Sequence, residues 1–269
     1  MVMFIGGLAA IALSLAVLMA FAWVVQQRTG NSGWVDTIWT FAIGLVGAGS
    51  ALWPLAGEGP NARQWLVAGL VAVWSLRLGI HIAIRTAGIS DDPRYAAFAA
   101  EWGLNAPRRM FIFLQNQALG SIPLAFAIFV AARFPQSALR WQDYLGALIL
   151  FAGIAGEALA DWQLKRFREQ PANKGRVCNV GLWRWSRHPN YFFEWFCWLA
   201  YPVIGLSLDD PLTYPWGLAT LLAPAFMYWI LVYVTGIPPL EEQMLRSRGE
   251  RYRAYQSRTS KFFPLPPRA

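Results

Sequence analysis

The chain has 269 residues, of which 56% are apolar and only 14% charged, and it carries a formal net charge of +8. Soluble domains usually contain about 25% charged residues, so these charges are too few for a water-facing surface and predict a membrane protein. Two cysteines and two histidines exclude a disulfide framework, and none of them form a cluster with the ligand spacing of a zinc or other metal site.

Seven apolar segments are long enough to be considered as membrane-spanning helices. A bilayer core about 30 Å thick requires roughly 20 apolar residues in a helix. In chain order the candidates are residues 3–25, 34–55, 65–85, 110–132, 142–161, 192–208 and 214–235. The first has no preceding basic residue and no clear cleavage site, which predicts a helix rather than a signal peptide. The sixth is the weakest candidate because Pro202 and Gly205 interrupt it.

The distribution of lysine and arginine orients these predicted helices. Of the 23 basic residues, Arg63, Arg133 and Arg140 lie in loops on one side and Arg77 lies within the third helix, which leaves 19 on the other side. The positive-inside rule then places the N-terminus outside and the C-terminus in the cytoplasm. We therefore expect an all-α, multi-pass membrane protein with about seven transmembrane helices.

The same distribution bears on partners and domains. Because the basic residues fall between hydrophobic blocks, they predict contact with anionic membrane lipids and no nucleic-acid partner. No internal repeat is visible, which disfavours an inverted-repeat transporter. We expect one domain over residues 1–269, and a monomer.

Some ionisable residues fall inside or at the ends of the predicted helices, where each costs about 2.5–3.5 kcal/mol unless it has a partner or a wet cavity. They are Asp36, Arg77, Glu157, Asp161 and Glu194. Glu157 and Asp161 are four residues apart and share one face of the fifth predicted helix. Lys165 and Arg168 continue that face. The pattern is compatible with a helix end whose charges reach the interface, but two acids and two bases on one stripe favour a polar groove.

The densest group of polar and aromatic residues runs from Gly181 to Glu194, with the sequence Gly-Leu-Trp-Arg-Trp-Ser-Arg-His-Pro-Asn-Tyr-Phe-Phe-Glu. A helix that begins near Pro189 would leave free backbone N–H groups beside Arg187 and His188, an arrangement that binds anions. Glu194 would lie one turn deeper than Asn190. This polarity predicts a site for an amphiphilic cofactor, with phosphates at the cytoplasmic mouth. The arginines of residues 239–255 could lie on lipid headgroups or close over those phosphates.

Taken together, these residues resemble the steroid 5-alpha-reductase family, especially its bacterial branch, which implies a location in a bacterial inner membrane. The pattern combines the acidic end of the fifth helix, Arg176, Arg187-His-Pro-Asn-Tyr191 with Glu194, Glu241-Glu242, and Arg248-Gly249 followed by Tyr252 and Tyr255. The strong match covers about residues 157–264, and Trp34 to Trp39, Trp74 to Arg85 and Asp92-Pro-Arg-Tyr95 match more weakly. Isoprenylcysteine carboxyl methyltransferases share part of the pattern. Methylation of an isoprenoid or lipid by S-adenosylmethionine is therefore an alternative, as is a transporter or lipid-binding protein without enzymatic activity.

The resemblance implies an NADPH-dependent reductase that takes a lipophilic enone from the bilayer. Hydride would pass from nicotinamide to the beta carbon of the α,β-unsaturated ketone, and the enolate would then be protonated. The resemblance assigns the cofactor-binding part to about residues 157–264. The residues that it implies as cofactor contacts are Glu157, Asp161, Arg168, Arg176, Arg187, His188, Asn190, Tyr191, Glu194, Arg246, Tyr252 and Tyr255.

The residues expected to act on the substrate lie in the second and third predicted helices. The familiar steroid enzymes of this family place a Gln-Glu pair early in the second helix and a tyrosine on the next. Here the nearby acid is Asp36, and the approximate tyrosine position is Trp74. We predict that Asp36 is the proton donor, which requires burial to keep its carboxyl protonated, and that Trp39 and Trp74 contact the substrate.

Overall fold

The computed structural model describes residues 2–54 and 59–268, apart from the side chains of Pro93 and Pro211. It is 79% helical. Leu55, the last residue of the predicted segment 34–55, lies outside the described residues. The α-helices are α1 Val2–Thr29, α2 Gly33–Leu52, α3 Ala62–Ala87, α4 Pro93–Trp102, α5 Ala106–Ala131, α6 Trp141–Glu169, α7 Pro189–Trp198, α8 Ala200–Gly205, α9 Leu222–Trp229, α10 Ile237–Arg248 and α11 Glu250–Arg258.

Six helical runs within the described residues are long and apolar enough to cross a membrane. They are Val2–Thr29, Gly33–Leu52, Ala62–Ala87, Arg94–Ala131, Trp141–Glu169 and Pro215–Arg248. Each overlaps one of the segments predicted from the sequence, so the prediction of an all-α, multi-pass membrane protein is confirmed. The last run is irregular, since a 3₁₀ segment at Pro215–Leu221 precedes α9 and a π-helical turn at Ile230–Val234 follows it.

The sixth predicted segment, residues 192–208, is the one that does not form a single long helix. It consists of α7, with 10 residues, and α8, with 6, which are separated at Leu199. Pro202 has no N–H to bond the carbonyl of Trp198, which explains a break at this point. α7 is about 15 Å long and α8 about 9 Å, and each is short of a bilayer core of about 30 Å. The orientation of the termini therefore stays a prediction.

The chain divides into two compact units. Unit 1 contains Met1–Tyr144 and Tyr201–Ala223, and unit 2 contains Leu145–Ala200 and Pro224–Ala269. The residues predicted to act on the substrate belong to unit 1, whereas those predicted to hold the cofactor belong to unit 2. The chain passes between the units three times: in the first turn of α6, after the first residue of α8 and after the second residue of α9.

Within unit 1, α2 and α3 approach each other closely because small residues face across the pair. A Cβ at Gly44 would overlap the side chain of Ser75, and the Ser75 hydroxyl donates to the carbonyl of Thr40 at 3.1 Å. α1 packs along α5, with the rings of Phe4 and Phe129 edge to face at 5.7 Å. These contacts pack α2 against α3 and α1 against α5 within unit 1.

A buried ion pair joins the first turns of α3 and α6. Arg63 and Asp143 are both 0% exposed, with Nε donating to Oδ1 at 2.9 Å and Nη2 to Oδ2 at 2.8 Å. The remaining guanidinium donors of Arg63 reach the carbonyls of Phe134, Gln136 and Ala138. The pair is satisfied by protein groups on every side, so it fixes the loop before α6 against α3.

Removing one partner of this pair is expected to destabilise the protein strongly. Arg63→Ala removes the two direct guanidinium hydrogen bonds of the buried Asp143 carboxylate and leaves only the more distant Arg140, whose Nε lies 3.9 Å from Oδ2. Removing one partner of a buried pair costs about 3–5 kcal/mol. Thermal unfolding in detergent should show a fall in Tm of about 10 °C. Arg246→Ala is the matched control, because Arg246 forms an exposed pair with Glu242 that is worth about 0–1 kcal/mol. Equal effects of the two substitutions would contradict the role given to the buried pair.

Candidate functional site

The polar motif of unit 2 begins where α7 begins. α7 has Pro189 in its first position, as the sequence predicts, because the missing N–H there has no intrahelical partner. The Asn190 side chain accepts a hydrogen bond from the backbone N–H of Tyr191 at 3.1 Å. One of the free N–H groups of this first turn is therefore satisfied by Asn190, and that contact also orients the amide.

α6 and α7 pack closely over a pair of glycines. A Cβ at Gly156 would overlap the ring of Phe193, and one at Gly153 would overlap the Sγ of Cys197. Gly156 therefore faces Phe193 and Gly153 faces Cys197, so α6 and α7 run antiparallel. Small residues commonly permit such close helix packing in membranes, and a larger residue at either position would separate the helices.

Polar side chains lie along this same line of contact, which we call the α6–α7 seam. The Asn190 amide donates to Asp161 Oδ1 at 3.3 Å. Glu157 lies one turn before Asp161, and Glu194 lies one turn after Asn190, so the antiparallel register puts both glutamates at about the same level. They are 5% and 6% exposed, and Trp198 Nε1 donates to Glu194 Oε1 at 3.0 Å. Four of the predicted cofactor residues are therefore gathered on one seam.

A second group, which we call the Glu241 cluster, comprises Glu241, Arg187, His188 and Gln256. Arg187 donates to both oxygens of Glu241, at 2.7 and 3.3 Å. His188 Nε2 lies 2.9 Å from Glu241 Oε1, and Gln256 Nε2 donates to Oε2 at 2.8 Å. Arg187 Nη1 also donates to the carbonyl of Thr259 at 2.6 Å. The cluster therefore ties the motif before α7 to α10 and to the end of α11.

The tyrosines of α11 support the same loop from behind. The Tyr255 hydroxyl donates to the carbonyl of Trp183 and lies 3.3 Å from that of Ser186. Tyr252 is buried and packs against Tyr255 with ring centroids 5.9 Å apart. Burial raises the pKa of both phenols above the ordinary value, so both stay protonated. The structure places them against protein groups, and their contact with a cofactor stays a prediction.

The remaining predicted cofactor residues differ in exposure. Tyr191 stacks on His188 with centroids 5.7 Å apart. Arg246 is exposed on α10 and pairs with Glu242 at 2.6 Å. Arg168 and Arg176 are exposed and form no ion pair with any residue that the structure describes. Their guanidinium groups are therefore available to an anion.

In unit 1, Asp36 is the centre of a further group, the Asp36 cluster, with Arg94, Tyr95 and Gln117. Tyr95 Oη donates to Asp36 Oδ1 at 2.7 Å, and Arg94 Nη2 donates to Oδ2 at 2.5 Å. Gln117 Nε2 donates to Tyr95 Oη at 3.3 Å. Both carboxylate oxygens of Asp36 accept hydrogen bonds, one of them from a cation. In this arrangement Asp36 is an acceptor, and its role as proton donor stays a prediction.

The two predicted substrate residues of unit 1 differ in burial. Trp39 is half-buried, and its indole N–H donates to Ser121 Oγ at 2.7 Å. Trp74 is 1% exposed. Among the described residues, no group of three His, Cys, Asp or Glu side chains is placed to hold a metal ion.

Sequence reasoning did not select Arg94, Tyr95, Gln117 or Glu241 as site residues. The first two stand in α4, a helix of 10 residues that is too short to be found by a search for membrane spans. A signal was present, because Asp92 precedes a proline at the start of a helix, and its side chain accepts from the N–H of Arg94 as an N-cap. Pairings across 50 or more residues carry no such local signal.

The fold and these polar clusters define a multi-pass, α-helical membrane protein with charged groups held inside it. The chain belongs to the family described as Protein of unknown function (DUF1295), whose model matches residues 22–259. It is similar to Uncharacterized protein C594.04c of Schizosaccharomyces pombe, with 32% identity over 270 residues that cover 90% of this chain and 75% of that relative. No solved structure matches the chain.

The Glu241 cluster makes stability depend on pH. Burial lowers the pKa of His188 below its ordinary value, and this outweighs the opposing effect of the hydrogen bond with Glu241. Below about pH 6.5 the unfolded chain takes up a proton that the folded His188 does not. Stability is therefore complete above that pH and falls, by at most about 1.4 kcal/mol per pH unit, as the pH decreases further. Thermal unfolding at pH 7.5, 6.5 and 5.5 measures the effect.

His188→Gln provides the comparison, because the chain has only one other histidine, His81. The variant is expected to lose the decrease in Tm between pH 6.5 and 5.5, whereas His81→Gln should retain it. The same pH profile in His188→Gln and in the unchanged protein would show that another group is responsible.

Proposed function

We propose that this protein uses NADPH to reduce the C=C bond of a lipophilic α,β-unsaturated ketone, such as a 3-oxo-Δ4-steroid. The observation that carries the proposal is the α6–α7 seam, where Glu157 and Glu194 are buried and Asp161 accepts from the Asn190 amide. The family to which the chain belongs includes steroid 5-alpha-reductase-like proteins. The string from Arg187 to Glu194 is the part of the sequence that most specifically resembles those enzymes.

The seam has the chemistry that the nicotinamide end of the cofactor requires. Carboxylates accept hydrogen bonds, and the Asn190 amide both donates and accepts. Such a set matches a carboxamide and ribose hydroxyls, which also donate and accept. Glu157, Asp161, Asn190 and Glu194 would hold this end of NADPH, which supplies the hydride.

The exposed arginines have the chemistry that the phosphates require. A guanidinium group binds a phosphate through two parallel hydrogen bonds, and neither Arg168 nor Arg176 is ion-paired to a described residue. S-adenosylmethionine carries no phosphate, so in a methyltransferase these two arginines would have no cofactor phosphate to bind. This difference favours the reductase over the methyltransferase.

The second half of the reaction needs a proton, and the Asp36 cluster supplies a candidate different from Asp36 itself. Because both oxygens of Asp36 accept hydrogen bonds, the transferable proton in this cluster is on Tyr95 Oη. Tyr95 is 4% exposed, and a dry environment strengthens a hydrogen bond to an oxygen on which charge develops. We assign proton donation to Tyr95 Oη, with Asp36 as the residue that positions it.

Cofactor choice is tested by ligand-dependent thermal stabilisation of the purified protein in detergent. NADPH should raise Tm, and S-adenosylmethionine should not. Asn190→Ala and Arg176→Ala are each expected to weaken NADPH binding by about tenfold or more, because each removes a hydrogen bond or a charge-assisted contact. Arg253→Ala is the matched control, since Arg253 is an exposed arginine paired with Glu250. Stabilisation by S-adenosylmethionine and none by NADPH would contradict the reductase.

Proton donation is tested by turnover of progesterone with NADPH. Tyr95→Phe should lower kcat by about 100-fold or more, because general acid catalysis contributes about 10²–10⁴, while NADPH-dependent stabilisation is retained. Tyr144→Phe, which changes an exposed tyrosine of the same unit, should leave turnover unchanged. A small effect of Tyr95→Phe together with a large effect of Asp36→Asn would instead identify Asp36 as the donor.

A further inference from the structure

An open cleft of about 390 Å³ lies at the C-terminal end of α6. The residues of its lining that matter for its chemistry are Trp162, Gln163, Arg166, Gln170, Asn173 and Gly181. We call it the Arg166 cleft. All of these residues belong to unit 2, and none of them takes part in the α6–α7 seam or the Glu241 cluster.

The Arg166 cleft is on a different face of α6 from the seam. Arg166 follows Asp161 by five residues, which is about 140° around the helix, whereas Arg168 follows it by seven, which is about 20°. Asp161 and Arg168 thus share the face that the proposed function uses, and Arg166 points away from it. A ligand in the cleft would be separate from the cofactor.

The wall of the cleft is fixed by contacts between α6 and the loop before α7. Gln163 Oε1 accepts from the N–H of Leu182 at 2.8 Å, and the indole of Trp183 donates to the carbonyl of Ala160 at 2.9 Å. Gly181 has φ +58°, and a Cβ there would lie 2.5 Å from Gln163 Oε1. A larger residue would strain the backbone at this φ and displace the Gln163 amide, so glycine allows the loop to lie against the helix.

The groups that face the cleft suit an anion. The Arg166 guanidinium lies over the Trp162 ring at 5.3 Å and has no ion-pair partner among the described residues. Asn173 Nδ2 donates to Gln170 Oε1 at 2.9 Å, which leaves the amide nitrogen of Gln170 as a second donor. The described lining contains no aspartate or glutamate, so nothing repels a negative charge.

An apolar stripe leads along α6 to the cleft. Leu148, Leu159 and Trp162 are 65%, 44% and 53% exposed, and their spacing puts them on the same side of the helix as Arg166. Tryptophan is enriched where a membrane protein meets the headgroups. A ligand that combines apolar chains with an anionic head would therefore meet matching surfaces in both parts.

We propose that the Arg166 cleft binds the phosphate of an anionic glycerophospholipid, whose acyl chains lie along the stripe formed by Leu148, Leu159 and Trp162. The stripe favours a lipid over a free phosphate ion, because an ion would make no use of it. The position of Arg166 opposite the seam makes this binding independent of the proposed reductase activity.

The test is native mass spectrometry of the detergent-purified protein after incubation with phosphatidylglycerol or phosphatidylcholine. Phosphatidylglycerol should be retained in preference to phosphatidylcholine. Arg166→Ala is expected to lower its retention by about tenfold, since it removes one charge-assisted contact. Lys165→Ala is the matched control, because Lys165 is the neighbouring exposed base, 3.9 Å from Glu169, and should leave retention unchanged.

Several results would overturn the proposal. They are equal losses in Arg166→Ala and Lys165→Ala, equal retention of the two lipids, or displacement of phosphatidylglycerol by millimolar inorganic phosphate or by NADPH. Arg166→Gln keeps most of the side chain's volume and should show the same loss as Arg166→Ala, with an unchanged Tm. If the protein did not bind NADPH but Arg166→Ala still lowered phosphatidylglycerol retention, lipid binding at the Arg166 cleft would be supported and the reductase would not. The two proposals can therefore fail separately.

Discussion

The absence of water from the hydrocarbon core of a bilayer is the constraint on which the rest of this structure depends. A backbone N–H or C=O without a partner there costs several kcal/mol, and a chain that is 79% helical satisfies most of these groups locally. Charged side chains must meet the same requirement through tertiary contacts. Arg63 meets it with Asp143 and three carbonyls, and Glu241 meets it with Arg187, His188 and Gln256.

The basic residues that give the chain its net charge of +8 differ in whether protein groups bind them. The arginines of the predicted outer loops are used by the protein itself: Arg133 donates to the carbonyls of Phe129 and Trp53, and Arg63 is fully enclosed. On the other predicted side, Arg168 and Arg176 remain exposed without an ion pair to any described residue. The predicted contrast in charge between the two sides is therefore also a contrast in pairing, because Arg63 and Arg133 are bonded to protein groups whereas Arg168 and Arg176 are not ion-paired to described residues.

Features that depend on local spacing could be predicted from the sequence. The start of α7 at Pro189 and the shared faces of Glu157 with Asp161 and of Asn190 with Glu194 follow from helix geometry and the chemistry of proline. The contact of Asn190 with Asp161 was not predicted, because it also depends on the antiparallel packing of α6 and α7. The break at Leu199 was indicated by Pro202, although the length of the remaining pieces was not.

Features that depend on distant pairing could not be predicted in this way. Arg187 and Glu241 are 54 residues apart, and Asp36 and Tyr95 are 59 apart. Neither member of these pairs has a sequence context that specifies the other, since the contact is created by packing of helices whose order in space the sequence pattern does not give. Asp36 was selected from its place early in the second predicted helix, without its counter-charge Arg94.

That counter-charge changes the proton chemistry available to unit 1. Asp36 Oδ1 accepts from Tyr95 Oη, and Asp36 Oδ2 accepts from Arg94 Nη2, so both oxygens of the acid act as acceptors in this arrangement. The Tyr95 phenol, by contrast, carries an O–H that can be donated. With Tyr95 as the proposed donor, Asp36 holds the hydroxyl in place. The same acid is then both the ion-pair partner of Arg94 and the residue that positions the proposed proton donor.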